Sequence, residues 1–175
     1  MDRSAYIKRI TRNAIMLALL CAVGMFAIPL GDNIKVSLQL LMVFIIGLTA
    51  YSFIDTLIVT SLYLALGLFM PIYAGFNAGI SPTFGFIISF VVISLPLYFL
   101  NKLKINNQFI RMGLACFISL LIVYVIGTVF LAFYLNIGIE KALLISVVPY
   151  IPFDIAKIVI AVLVVSLLPK KYSSN

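Results

Sequence analysis

The sequence predicts an all-α integral membrane protein with six transmembrane helices, in a single domain that covers residues 1–175. Hydrophobic residues make up 65% of the chain and charged residues only 10%. Soluble globular proteins carry about 25% charged residues, so this chain has too little polar surface to cover a compact body in water. The apolar residues also form continuous runs without strand-like alternation, which favours helices over a β-barrel as the way to cross a bilayer.

Six apolar runs give the predicted spans. An α-helix rises about 1.5 Å per residue, so about 20 residues cross an apolar layer of roughly 30 Å. The second run is short and the third follows it at once, which predicts a tight turn at residues 51–55 between two antiparallel helices. The predicted spans are residues 13–30, 36–51, 53–70, 83–100, 112–135 and 143–168.

The positions of the basic residues predict that both termini are cytoplasmic. Segments rich in Lys and Arg stay in the cytoplasm, and here they lie at both termini and between the fourth and fifth spans. The net charge of +7 is therefore explained by membrane orientation, and we expect no nucleic-acid partner. The basic residues on the terminal side are Arg3, Lys8, Arg9, Arg12, Lys102, Lys104, Arg111, Lys170 and Lys171, against Lys35 and Lys141 on the other side.

The residue types that the chain lacks exclude several kinds of enzyme. It has no His, so it cannot form a Ser-His-Asp or Cys-His nucleophile or a histidine-ligated metal site. It has no phosphate-binding P-loop, so ATP that drives transport must be hydrolysed by another protein. Asp55 and Asp154 fall toward opposite faces of the membrane, and Asp55 is better placed to stabilise a helix N-terminus than to act as an aspartyl enzyme's carboxylate. We expect no catalytic activity, no cofactor and no metal.

Two outward-facing connections are expected to shape a binding site. Residues 71–82 join the third and fourth spans without a single charge and are rich in Gly and aromatic residues. Such a segment is expected to fold back over the helices as a lid, and the alternative is a loop that rests at headgroup level. Pro149 and Pro152 interrupt the apolar run at the start of the sixth span, so the chain there should be kinked or locally unwound.

Asp154 and Lys157 are the strongest candidates for a binding site. A charge at the centre of a membrane helix costs about 2.5–3.5 kcal/mol on insertion scales, so such groups face a partner or a polar cavity. The spacing of three residues puts both on one helix face, where a carboxylate accepts N–H bonds and an ammonium donates to a carbonyl or carboxylate. The alternative is a structural ion pair that only fixes helix packing.

Four further polar residues are candidates for contacts with a ligand. Gln39, next to Ser37 at the start of the second span, offers amide donors and an acceptor. Tyr73, Asn77 and Thr83 would line the lid side. Each of the four has a simpler interpretation as a helix cap or an interfacial residue, and Thr83 in particular stands at the start of the fourth span.

Ala14, Ala18 and Ala22 form a stripe of small residues on the first span. Their spacing of four lets another helix approach closely, as in small-xxx-small contacts between membrane helices. A separate ATPase requires a docking surface, and this stripe is the candidate for it. Packing inside the protein is the alternative.

Four motifs in this order resemble the BioY family, the biotin-binding S components of energy-coupling factor (ECF) transporters. Residues 37–39 (SLQ) resemble the family's T-L-Q, and residues 71–75 (PIYAG) resemble its P-V-F-A-G. Residues 81–86 (SPTFGF) are similar to its G-P-T-G-G-Y, and residues 152–157 (PFDIAK) to its P-G-D-x-x-K. The topology matches over the whole chain.

The resemblance implies a subunit of an ATP-driven importer in the plasma membrane of a prokaryote. It would capture extracellular biotin under the 71–82 loop and the start of the sixth span, with Asp154 and Lys157 as central contacts. Such subunits dock through an A-x-x-x-A stripe, here Ala14, Ala18 and Ala22, onto a transmembrane coupling protein driven by two ATPases.

Three departures from the family pattern concern the ligand. Ser81, Phe84 and Phe153 stand where the family has glycine, and each adds volume where backbone would approach a ligand closely. We expect Phe84 above all to reshape the pocket, which leaves another small carboxylate such as lipoate as an alternative ligand. A membrane structural protein without a ligand is the alternative from a different class.

Overall fold

The computed structural model describes residues 3–29 and 35–168, and most of this part of the chain is helical. Residue 30, where the first predicted span ends, and the basic residues Lys170 and Lys171 lie outside the described residues. The helices are α1 (Arg3–Met25), α2 (Gln39–Leu48), α3 (Phe53–Phe69), α4 (Phe84–Val92), α5 (Ser94–Asn101), α6 (Gln108–Leu135), α7 (Ile139–Ser146) and α8 (Ile151–Leu167).

A short β-hairpin between α1 and α2 was not predicted. Strand β1 (Ala27–Pro29) pairs antiparallel with β2 (Lys35–Ser37), so the first predicted span is wrong at its end and the second at its start. Pro29 lacks the N–H that a continuing helix needs, which explains why the apolar run leaves helical geometry there. The prediction of an all-helical protein is correct for the remaining described elements, with this hairpin as the exception.

Within the described residues, three helical segments are long and apolar enough to cross a membrane, judged by length and composition. They are Phe84–Asn101, Gln108–Leu135 and Ile139–Leu167. The first is broken at Ile93 between α4 and α5, because Pro96 has no N–H to donate to the carbonyl of Val92. The third contains a 3-10 turn, Val148–Tyr150, between α7 and α8. The predicted interruption by Pro149 and Pro152 is therefore confirmed.

The α2–α3 turn is held by Asp55, whose predicted role at a helix N-terminus is confirmed. The Ser52 hydroxyl accepts from the Ile54 backbone N–H, and the Asp55 carboxylate accepts from the Ser52 backbone N–H at 3.0 Å. This reciprocal capping satisfies backbone donors that the first turn of a helix leaves free. The Nε of Arg9 donates to Asp55 Oδ1 at 2.6 Å, which ties α1 to the same turn.

The loop that joins α3 to α4 folds back onto the helices, as the sequence predicts. The Gly75 N–H donates to the Met25 carbonyl, and the Gly79 N–H donates to the Gly67 carbonyl, both at 2.9 Å. The Tyr73 ring packs directly over Gly67, where any added Cβ would collide with it. α6 packs against α4, α5, α7 and α8, while α2 packs mainly against α8.

Candidate functional site

A cavity of about 620 Å³ lies among α2, α4, α6, α7, α8 and the loop that follows α3. This volume is within the range of roughly 300–1,000 Å³ that is typical of small-molecule sites. The wall residues are Ser37, Gln39, Leu40, Ala74, Asn77, Pro82, Thr83, Phe86, Ile87, Phe90, Val123, Tyr124, Leu131, Leu135, Ile145, Ser146, Tyr150, Asp154 and Lys157.

Asp154 and Lys157 meet on the cavity wall, one turn apart on α8. Lys157 Nζ donates to Asp154 Oδ1 at 2.7 Å, and the two residues are only 5% and 7% exposed. Asp154 lies in the first turn of α8, just after the 3-10 turn. Helix N-termini favour negative charge, so the interrupted span places the carboxylate where the backbone stabilises it. The pair combines an acceptor and a donor at one point of the wall.

Tyr124 of α6 is a site residue that sequence reasoning missed. Its hydroxyl donates to Asp154 Oδ2 at 2.8 Å, and its side chain lines the cavity. The signal was present, because a phenol in the middle of a 28-residue apolar helix needs a hydrogen-bond partner. The sequence alone does not show that α6 packs against α8.

Gln39 reaches the cavity from the first turn of α2. Its Nε2 donates to the Tyr63 hydroxyl, which in turn donates to the carbonyl of Ile72 at 2.9 Å. Among the described residues, no hydrogen bond is made to the Gln39 side-chain oxygen. The Ser37 hydroxyl, one residue before the N-cap position of α2, accepts from the Gln39 backbone N–H at 3.1 Å. Gln39 thus links the cavity to the loop and keeps an acceptor for a ligand.

Asn77 and Thr83 also line the cavity, on the side formed by the loop. Asn77 Nδ2 donates to the Ala74 carbonyl at 2.8 Å, and the Thr83 and Ser81 hydroxyls lie 3.1 Å apart. Thr83 occupies the N-cap position of α4, as its simpler interpretation predicts, but its side chain makes no capping bond. Both side chains are exposed, so a ligand can reach them.

Tyr73 and Phe84 lie behind the cavity wall, whereas the sequence predicts both at the pocket. Tyr73 is 2% exposed and its hydroxyl donates to the Leu64 carbonyl at 2.7 Å, so its position does not support a ligand contact. Phe84 is also buried, packs against the rings of Tyr73 and Phe130, and is not among the wall residues. Phe86, two residues further along α4, forms the wall instead.

The cavity has a polar and an apolar part. On α6 the cavity wall extends from Val123 to Leu135, and the twelve helical steps between these residues correspond to about 18 Å. Leu131, Leu135 and Ile145 line the apolar part. Asp154 and Lys157 are the only charged side chains on the described wall, and their charges cancel. This arrangement suits a ligand with a compact polar group that both donates and accepts, attached to an aliphatic chain.

The alanine stripe lies away from this cavity. Ala14, Ala18 and Ala22 are exposed on α1, a helix that contributes no residue to the described wall. Within the described part of the chain, no three His, Cys, Asp or Glu side chains are grouped so that they could hold a metal ion.

Three curated relatives align with nearly the whole chain. The biotin transporter BioY of Thermotoga maritima is 28% identical over 168 residues, which are 93% of this chain and 96% of that protein. The probable biotin transporter BioY of Pyrococcus horikoshii is 31% identical and covers 90% and 93% of the two chains. BioY2 of Lactococcus lactis subsp. cremoris is 29% identical and covers 86% and 84%.

A solved structure and a family model agree with the match to these relatives. A crystal structure of the S-component for biotin from an ECF-type ABC transporter superposes with a TM-score of 0.82 at 25% identity, over 99% of both chains. The BioY family model matches residues 1–174. From its sequence, its fold and its relatives, the chain belongs to the BioY family.

Proposed function

We propose that this chain is the biotin-binding membrane subunit, or S component, of an ATP-driven importer. The observation that carries the proposal is the buried Asp154–Lys157 pair on the wall of the cavity, in a chain whose relatives are biotin transporters. On one edge of its ureido ring biotin presents an N–H, which can donate to a carboxylate, beside a carbonyl that can accept from an ammonium. Its aliphatic tail fits the apolar part of the cavity at Leu131, Leu135 and Ile145.

The remaining polar wall residues would complete the binding site. Gln39 offers its side-chain oxygen to an N–H group, and Asn77 and Thr83 offer an amide and a hydroxyl from the loop side. We assign Tyr73 a supporting role, because its ring and hydroxyl hold the loop on α3 and do not reach the wall.

The membrane arrangement follows from the helices and the charges. We assign six spans to α1, α2, α3, the α4–α5 pair, α6 and the α7–α8 pair, with both termini in the cytoplasm of a prokaryotic cell. α2 and α3 are the shortest, and local thinning of the bilayer or the adjoining hairpin accommodates them. In this orientation the cavity opens toward the outside, where the substrate is captured.

The energy for uptake would come from partner subunits. The chain has no P-loop, so we expect a transmembrane coupling protein and two ATPases to bind it and to hydrolyse ATP, and we expect no enzymatic activity in this chain. The exposed stripe of Ala14, Ala18 and Ala22 on α1 is the surface that we assign to the coupling protein.

Calorimetric titration of biotin into the detergent-purified chain tests the proposal. We expect saturable binding at one site, and we expect Asp154→Asn to weaken it by roughly a hundredfold or more, because a buried charged hydrogen-bond acceptor is lost. Lipoate, which has a carboxylate tail but no ureido N–H groups, should bind far more weakly. A folded chain that binds lipoate and not biotin, or neither, would overturn the assignment of biotin.

A further inference from the structure

The carboxylate of Asp154 is held from two helices at once. Lys157, on the same helix, donates to Oδ1 at 2.7 Å, and Tyr124, on α6, donates to Oδ2 at 2.8 Å. These are the only hydrogen bonds to this carboxylate among the described residues. Each oxygen therefore has one donor from the described part of the chain.

An ionised carboxylate has about four acceptor positions, two on each oxygen. With one position on each oxygen already filled, one remains on each. An open position can accept one N–H of a ureido ring. In such a ring each N–H lies on the same edge as the carbonyl, so the carbonyl can accept from the Lys157 ammonium next to the carboxylate.

The donor from the second helix matters because the terminal torsion of an aspartate is soft. Lys157 alone fixes one oxygen and leaves the plane of the carboxylate free to turn about that bond. Tyr124 fixes the other oxygen, and its phenol ring has only two torsions, so little entropy is lost when it is held. Together the two donors leave the carboxylate one orientation.

We propose that Tyr124 is a positioning residue that sets the orientation of the Asp154 carboxylate toward an N–H donor of the ligand. This inference rests on the proposed function. Tyr124 acts through Asp154, so its contribution to affinity depends on the presence of that carboxylate.

Equilibrium binding of biotin to the purified full chain tests the inference, using wild type, Tyr124→Phe, Asp154→Asn and the double variant. Tyr124→Phe keeps the ring and removes the hydroxyl, and we expect it to weaken binding by about ten- to a hundredfold, as for a lost hydrogen bond to a charged group. In the Asp154→Asn background the same change should alter affinity by less than about twofold, because the carboxylate that it orients is gone.

Tyr134→Phe is the matched control. Tyr134 also lies on α6 and is half exposed, and it is not among the described residues that line the cavity. Its variant should therefore bind biotin as wild type does. Thermal unfolding of each variant without ligand shows whether it is folded.

Each other outcome overturns the inference. Unchanged affinity of Tyr124→Phe overturns the inference and leaves the proposed function standing. An equal loss of affinity in the wild-type and Asp154→Asn backgrounds does the same, because it would mean that Tyr124 contacts the ligand directly. A wild-type chain that binds no biotin overturns the inference together with the proposed function.

Discussion

Asp55 and Asp154 are both buried carboxylates with a basic partner, yet their surroundings differ. Asp55 is 1% exposed and Asp154 is 5% exposed. Asp55 accepts hydrogen bonds from the Arg9 guanidinium, the Asn13 amide and the Ser52 backbone N–H, at 2.6, 2.7 and 3.0 Å. Asp154 accepts from one Lys and one Tyr and borders the cavity, whereas Asp55 is not on the described wall.

The comparison shows that burial and pairing do not by themselves identify a binding site. At Asp55 three protein groups from α1 and from the start of α3 surround the carboxylate, so it stabilises the contact between those helices. At Asp154 two acceptor positions stay open toward a space large enough for a ligand. The number of donors that the protein supplies to each carboxylate, and the space beside it, distinguish the structural role of Asp55 from the binding role that we propose for Asp154.

Lys157→Ala should have the largest effect on ligand affinity. It removes a donor and leaves Asp154 as a buried charge without its cation, so we expect biotin binding to weaken by one to several orders of magnitude. Arg9→Ala is the matched control, because it removes the cation from the other carboxylate, and it should change affinity by less than about threefold. Calorimetry measures the biotin affinity of both variants. Equal affinities would contradict the difference that we infer between Asp154 and Asp55.

Asp55→Asn should have a small effect on affinity and a clear effect on stability. The amide keeps the size of the carboxylate but presents N–H groups to donors, so charged hydrogen bonds to Arg9 are lost. We expect the free energy of unfolding to fall by roughly 1.5–3 kcal/mol, measured by denaturation in detergent. Biotin affinity of the folded variant should stay within about threefold of wild type. A loss of affinity at unchanged stability would mean that Asp55 belongs to the binding site.

The sequence predicted those parts of the molecule that depend on residues close in the chain. The three-residue spacing of Asp154 and Lys157, the interruption by Pro149 and Pro152, and the cap by Asp55 are all local, and the structure has them. The uncharged segment 71–82 predicted a loop that folds back onto the helices, and the structure has it.

Features that depend on helix packing could not be predicted. The sequence pattern does not show which face of α4 borders the cavity. Phe84 was therefore expected at the pocket, whereas the structure has Phe86 on the cavity wall. Tyr73 was misplaced for the same reason, because Gly67 on α3 makes room for its ring away from the ligand side. Tyr124 was missed because its partner is thirty residues away in the chain, on another helix. The hairpin was missed because β1 continues the first apolar run, and Val36 and Ser37 of β2 stand directly before the second.

Ala18→Leu should have the smallest effect on affinity and still abolish uptake. Ala18 is exposed on α1 and lies apart from the wall, so the purified variant should bind biotin as wild type does. A leucine in the middle of the stripe would keep a partner helix from approaching closely, so uptake by cells that contain the coupling protein and ATPases should be lost.

Leu19→Phe is the control for this prediction. Leu19 is also exposed on α1, but one residue further along a helix is turned by about 100°, so the added volume lies beside the stripe and not on it. Uptake by Leu19→Phe should therefore stay intact. Normal uptake by Ala18→Leu would mean that the stripe does not dock a partner, and α1 would then serve the fold only, through Arg9 and Asn13 at Asp55.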